Sequence, residues 1–161
     1  MRFVADVMLG KLARFLRMVG QDVLYFEDAR DEFLIYTAKE TGRLLLTRDV
    51  GLYRAAVSCG ACCLLIRSNY VREQLEEVRG AVALRPARAV NCIRCNGPLK
   101  KVDKCEIEGE VPEYVWHTNS EFWVCERCGR VYWRGSHIRN FVRFLGYNPW
   151  DNEGPSEREG P

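Results

Sequence analysis

The chain has no apolar run long enough to cross a bilayer, so a transmembrane helix is not among its organising elements. Residues 1–10 lack the layout of a secretory leader: no basic start leads into an apolar stretch and a small-residue cleavage site. A cytoplasmic protein with no membrane partner is the expectation. Charge of one sign is also missing. Lys and Arg number 24 against 22 Asp and Glu, a net charge of +2. The balance is uneven, because residues 151–161 carry Asp151, Glu153, Glu157 and Glu159 against Arg158 alone. The rest is more basic than the total, which permits nucleic-acid binding without demanding it. No internal repeat is present beyond two paired cysteine hooks. A hydrophobic fraction of 47% over 161 residues supplies the core of one domain, or of one domain with a small appendage.

Those hooks, Cys92-x-x-Cys95 and Cys125-x-x-Cys128, are the most informative pattern in the chain. Two residues between cysteines let each hook point both sulfurs at one ion, and four thiolates suit tetrahedral Zn²⁺. The spacer, residues 96–124, is longer than the usual short pattern but short enough for a strand-rich excursion that returns to the same metal. Two disulfides or free thiols are the plainer alternative. A four-cysteine shell is closed to water and substrate, so a structural zinc ribbon is expected here and chemistry elsewhere. Cys59, Cys62, Cys63 and Cys105 remain. Cys59-Gly-Ala-Cys62 has redox spacing, but it falls between a helix end and a strand rather than at a helix N-terminus, where a thiolate is favoured. These cysteines read as small buried apolar residues, and spare thiols fit a reducing compartment.

The first ninety residues alternate between two periodicities. Strands are expected at residues 2–6, 23–26, 43–47 and 62–66, with a short last one at 81–84. Helices are expected at 9–19, where Leu9, Leu12, Phe15, Leu16 and Val19 share a face, at 31–41 with Asp31 as N-cap, at 50–58 and at 71–79. Apolar strands alternating with helices over short links predict an α/β fold, a mostly parallel sheet covered on both faces. Arg85-Pro86-Ala87-Arg88 is the expected hinge, dividing the chain into residues 1–88, a ribbon at 89–146 and a disordered tail at 147–161. Ribbon strands are expected around 100–107, 114–117, 122–124 and 131–133, with a closing helix at 137–145 capped by Ser136.

In an open parallel sheet, sites form at the carboxyl ends of strands. Asp6 closes the first strand, Asp31 follows the second, Asp49 the third and Asn69 the fourth. Three acids from converging loops repel unless a cation sits among them, and oxygen ligands suit Mg²⁺ or Mn²⁺. Such a site supports phosphodiester cleavage. The plainer readings are that Asp31 and Asp49 simply cap helices. Asp6 is the most telling, because a carboxylate ending an apolar strand is costly to bury without purpose. Lys11, Arg14 and Arg17 lie opposite the first helix's apolar stripe; they form either a wet face or a rail for phosphates, which Arg48 and Arg67 would extend. Most of the ribbon's aromatic residues (Tyr114, Trp116, Phe122, Trp123, Tyr132 and Trp133) are expected around the metal knuckles, with one or two free to stack on bases. His117 and His137 read as surface residues rather than ligands, and His137, at the start of the closing helix, is better placed to touch phosphate.

Phe3-Val-Ala-Asp6, Met8-Leu-Gly-Lys-Leu-Ala-Arg-Phe-Leu-Arg17 with Gly20, and Gly42-Arg-Leu-Leu-Leu-Thr-Arg-Asp49 resemble a PIN-like ribonuclease family. Val111-Pro112, Cys125-x-x-Cys128-Gly129 and Tyr132-Trp-x-Gly-Ser-His137 resemble that family's zinc ribbon. The family occurs at the C-terminus of RNA-silencing exonucleases and as stand-alone prokaryotic proteins, and the likeness covers residues 1–145. It implies a PIN-like Rossmannoid sheet, a divalent metal held by Asp6, Asp31 and Asp49, and cleavage of RNA, most readily single-stranded. The family often has an acid after the fourth strand; Asn69 stands there, and an amide oxygen can still ligate. The rival reading is a non-catalytic nucleic-acid-binding or adaptor module that works through its ribbon. A receiver-type phosphoacceptor is disfavoured: Asp6 is followed by Val7 rather than a second acid, and no lysine stands near Leu84.

Overall fold

The computed structural model describes residues 1–84 and 90–135. The chain divides into two compact units, Met1–Arg85 and Pro86–Pro161. The hinge, the closing helix with His137 and the acidic tail expected from the sequence lie outside the described residues.

The first unit alternates β1 (Arg2–Ala5), a 3-10 turn (Val7–Leu9), α1 (Gly10–Met18), β2 (Asp22–Tyr25), α2 (Asp31–Thr41), β3 (Leu44–Thr47), α3 (Val50–Ser58), β4 (Cys63–Leu65) and α4 (Val71–Ala81). All four strands are parallel, in the order β2-β1-β3-β4. The chain runs outward from β1 to β2, then crosses back to lay β3 on the other side of β1. The winding therefore reverses between β1 and β3, where a parallel sheet opens a crevice at its carboxyl edge.

Both faces of the sheet are covered, which is why the strands read as apolar runs rather than alternating ones. Val4 and Leu45 pack with Leu34, Ile35 and Ala38 of α2 and with Leu52 and Ala56 of α3. Strand alternation turns Phe3, Ala5 and Leu46, all fully buried, to the opposite face. There α1 buries Leu12, Ala13 and Leu16 and packs against α4. Helix α2 ends at Gly42 in the left-handed region (φ 59°), where a residue with a Cβ would be strained.

Several expectations change. Residues 81–84 form no strand, because α4 continues to Ala81. Arg30 rather than Asp31 is the N-cap of α2, and Asp31 is the first helical residue. Cys59 and Cys62, on the turn between α3 and β4, and Cys105 are exposed rather than buried, and Cys63 is half-buried.

Arg17 leaves the proposed rail altogether. It is buried, and its Nε donates to the Val23 carbonyl at 2.9 Å, tying α1 to β2. The reason is helical drift. Residues three apart differ by about 60° from a full turn, so Lys11, Arg14 and Arg17 wind progressively toward the core.

The second unit holds an antiparallel sheet of β5 (Leu99–Val102), β6 (Phe122–Cys125) and β7 (Val131–Trp133), in that order. The strand expected over 100–107 stops at Val102. Asp103 and Glu106 form a capping box there, each side chain reaching the other's backbone N–H, and a 3-10 turn follows (Lys104–Ile107). The strand expected at 114–117 is a short helix, α5 (Glu113–Thr118). Pro112 starts it with pre-set φ, and the Trp116 indole donates to the Lys104 carbonyl at 3.3 Å.

Candidate active site and metal centre

Three consecutive residues at the end of β3 do three different things. Thr47 points inward, fully buried; its hydroxyl donates to Asp6 Oδ2 at 2.7 Å and accepts the Asp49 N–H at 2.9 Å. Arg48 points to a cleft on the surface, where its guanidinium donates to Asn69 Oδ1. Asp49 caps α3, its Oδ1 accepting the N–H groups of Gly51 and Leu52. One hydroxyl therefore links the carboxylate that ends β1 to the backbone of the acid that follows β3, at the point where the winding reverses.

Asp6 is 5% exposed. Beyond Thr47, its Oδ1 accepts only a long bond from the Met8 N–H, at 3.4 Å. Asp31 is exposed in the first turn of α2. A helix N-terminus favours a carboxylate, yet the Asp31 carboxyl is held above its usual range, first by desolvation, then by the charges of Asp49 and Asp6 and by Glu32. The three acids thus share one electrostatic neighbourhood. Among the described residues, however, only the four cysteines form a group whose ligand atoms all come within 4.8 Å of one another. Asp6, Asp31 and Asp49 feel each other across a rim more open than that.

Beside the rim lies a cleft of about 660 Å³. Lys11 and Arg14 of α1, Arg48 after β3, and Asn69, Tyr70 and Gln74 from the loop after β4 and from α4 are among the residues that line it. Asn69 lines the cleft, and its amide oxygen accepts from the Arg48 guanidinium.

In the second unit the cysteines pair across the hooks. Sγ atoms lie 3.6 Å apart for Cys92 and Cys128 and 3.5 Å for Cys95 and Cys125. Four sulfurs about 2.3 Å from a tetrahedral zinc stand about 3.8 Å from one another, so the quartet fits such an ion. Backbone N–H groups of Cys95 and Cys128 point at the sulfurs of Cys92 and Cys125. Burial pushes the Cys95 and Cys125 thiols up, whereas at Cys92 bonds from the Tyr132 hydroxyl (3.0 Å) and from the backbone outweigh burial and bring the thiol down to about 6. Thiolate at neutral pH is the form a metal takes. Tyr132 and the fully buried Phe122 serve the knuckles and core as expected, whereas Tyr114 is exposed.

Residues 1–145 match the family model of the Mut7-C RNAse domain. The chain belongs to the Mut7-C family. Membership brings with it a ribonuclease-like function and an RNA partner. No curated protein and no solved structure matches the chain. Among the described residues, no helix is long and apolar enough to cross a membrane.

For this Mut7-C chain the sequence picked out Asp6, Asp31, Asp49, Asn69, Lys11, Arg14 and Arg48, all of which lie at one edge of the first unit. It missed Thr47. The available signal was a hydroxyl ending an otherwise apolar strand, two residues before an acid. It also missed Glu77, whose carboxylate accepts the N–H groups of Arg67 and Ser68, each at 2.8 Å, and so braces the loop that carries Asn69.

Proposed function

We propose that the protein is a metal-dependent ribonuclease that hydrolyses RNA phosphodiester bonds at the carboxyl rim of a PIN-like sheet, with the cytoplasm as its compartment. The observation that carries this reading is the Thr47 bridge between Asp6 and the Asp49 backbone at the winding reversal, with the Asp31 carboxyl raised by desolvation and then by the charges of both acids. An oxygen-only donor set of three carboxylates suits Mg²⁺ or Mn²⁺, and Asp6, Asp31 and Asp49 would hold it. Such a cation, when bound, supplies Lewis-acid stabilisation of the charge that develops on the phosphodiester. The chain's own groups do the rest. Thr47 fixes the Asp6 carboxylate. The N-terminus of α3 fixes one oxygen of Asp49 and leaves the other for a ligand. Lys11, Arg14 and Arg48 bring positive charge to the substrate's phosphates. The ribbon carries a structural zinc on Cys92, Cys95, Cys125 and Cys128, and that closed shell takes no part in the reaction.

The test is the Asp6→Asn protein assayed on single-stranded RNA with Mn²⁺. Cleavage is lost while the circular-dichroism spectrum is kept; undiminished cleavage by this variant overturns the reading. The binding-module alternative is favoured by one observation, the open spacing of the acids. It predicts a wild-type protein that binds RNA without cutting it and shows no Mn²⁺ site that Asp49→Asn abolishes.

A further inference from the structure

The cleft beside the acids has a composition that cleavage alone does not require. Lys11 and Arg14 have no hydrogen-bond or ion-pair partner among the described residues, so two unpaired cations line the same cleft as Arg48. The loop after β4 also lines it, and α4 ties that loop down at several points. Glu77 accepts two of its backbone N–H groups, Gln74 Nε2 donates to the Ser68 carbonyl at 3.0 Å, and the Ser68 hydroxyl donates to Glu73. At the end of this braced loop Tyr70 stands 72% exposed on the cleft wall. A large ring on a rigid loop, left in water beside unpaired cations, is the arrangement that holds single-stranded nucleic acid: charge for the backbone, an aromatic face for a base. The cleft volume falls within the range of about 300–1,000 Å³ for small-ligand sites, the scale of one nucleotide rather than of a duplex. In a duplex the faces of a base are covered by its neighbours and are closed to a side chain.

We propose that this cleft is a subsite for one nucleotide of single-stranded RNA, with the phosphate held by Lys11, Arg14 and Arg48 and the base stacked on Tyr70. The proposal rests on the ribonuclease reading for the identity of the strand and deepens it by naming what grips the substrate. Asn69 is a positioning residue. Arg48 Nε is buried without a hydrogen-bond partner, and the Asn69 amide oxygen receives the other end of that guanidinium, aiming it into the cleft.

The experiment measures binding of a fluorescein-labelled oligouridylate to the full chain by fluorescence anisotropy, with no Mg²⁺ or Mn²⁺ added so that cleavage does not enter. Tyr70→Ala weakens binding about tenfold, and Tyr70→Phe restores it, because stacking uses the ring and not the hydroxyl. Replacing uracils one at a time by abasic ribose costs the wild type affinity at one position, and Tyr70→Ala loses nothing further there. The Arg48→Ala and Asn69→Ala losses are not additive, because the second acts through the first. Unchanged binding by Tyr70→Ala, or an abasic profile that is the same in wild type and Tyr70→Ala, overturns the subsite. These outcomes are independent of the nuclease test. An Asp6→Asn protein that still cuts RNA removes the catalytic reading without touching the Tyr70 result. Lost cutting with an indifferent Tyr70 removes the subsite alone.

Discussion

Replacing Thr47 by Val keeps the shape of the side chain and deletes one oxygen, which isolates the bridge between the two acids. The hydroxyl is fully buried and makes two bonds, 2.7 Å to the Asp6 carboxylate and 2.9 Å from the Asp49 N–H. A hydrogen bond to a charged group contributes about 1.5–3 kcal/mol, and a buried N–H left without a partner costs about 1–3 kcal/mol. The two effects overlap where water reaches the Asp49 backbone, so the expected loss is roughly 2–4 kcal/mol. For a chain of this length that lowers Tm by about 4–16 °C. Thr47→Ser keeps the hydroxyl and loses a methyl, so it falls by only about 1 kcal/mol. Urea denaturation of the three proteins gives the comparison, and cleavage of single-stranded RNA should follow the same order, Val well below Ser. A Thr47→Val protein within about 0.5 kcal/mol of wild type and cleaving normally would refute the claim that this hydroxyl organises the acids.

The remaining predictions concern charge and metal. The Asp31 carboxyl is raised above its ordinary 3.8 in the folded protein, so the folded state binds more protons than the unfolded one between 3.8 and the raised value. Stability therefore falls as pH rises through that window, and the penalty persists above it. Asp31→Asn should remove this dependence and leave Tm at neutral pH unchanged or higher, and Mn²⁺ should raise the wild-type Tm more than the variant's; a lower neutral Tm for the variant contradicts the electrostatics. A Cβ on Gly97 would stand 2.9 Å from Arg127 Cβ and 3.0 Å from Cys125 Sγ. Gly97→Ala should thus release zinc to a colorimetric chelator faster than wild type, while full zinc removal unfolds the ribbon sheet as seen by amide hydrogen exchange. Lys11→Ala and Arg14→Ala should each lower the slope of log affinity against log salt for single-stranded RNA by about 0.7. Arg17→Ala should leave that slope alone and lower Tm instead, because Arg17 holds the Val23 carbonyl.

Much of the first unit was legible because its local and global signals agree. Helix α3 was expected at the bounds it occupies, because an N-cap acid, an apolar face and a glycine beyond its end all mark the same segment. Asp6 and Asp49 were legible as rim acids because strand ends and helix starts fall at that edge in any βαβ sheet. Arg17 was misplaced because a three-residue spacing looks like one face in sequence yet drifts around a helix of 3.6 residues per turn. In the ribbon, Tyr114, Val115 and Trp116 have strand-forming side chains, but Pro112 and a tertiary bond from Trp116 made the segment a helix. The Thr47 bridge spans 41 residues of sequence. No local pattern encodes such a contact, because it exists only once β1 and β3 are neighbours.

Packing three duties into Thr47, Arg48 and Asp49 leaves the segment no slack in length. Successive side chains of an extended backbone point to opposite sides, so inserting one residue ahead of Thr47 would turn its hydroxyl away from Asp6 and carry the guanidinium out of its place in the cleft. The first helical turn of α3 would lose its acid in the same stroke. Point changes can retune this corner of the molecule one side chain at a time, but a gain or loss of a single codon there would dismantle the hydroxyl–carboxylate bond, the guanidinium's place in the cleft and the helix start together.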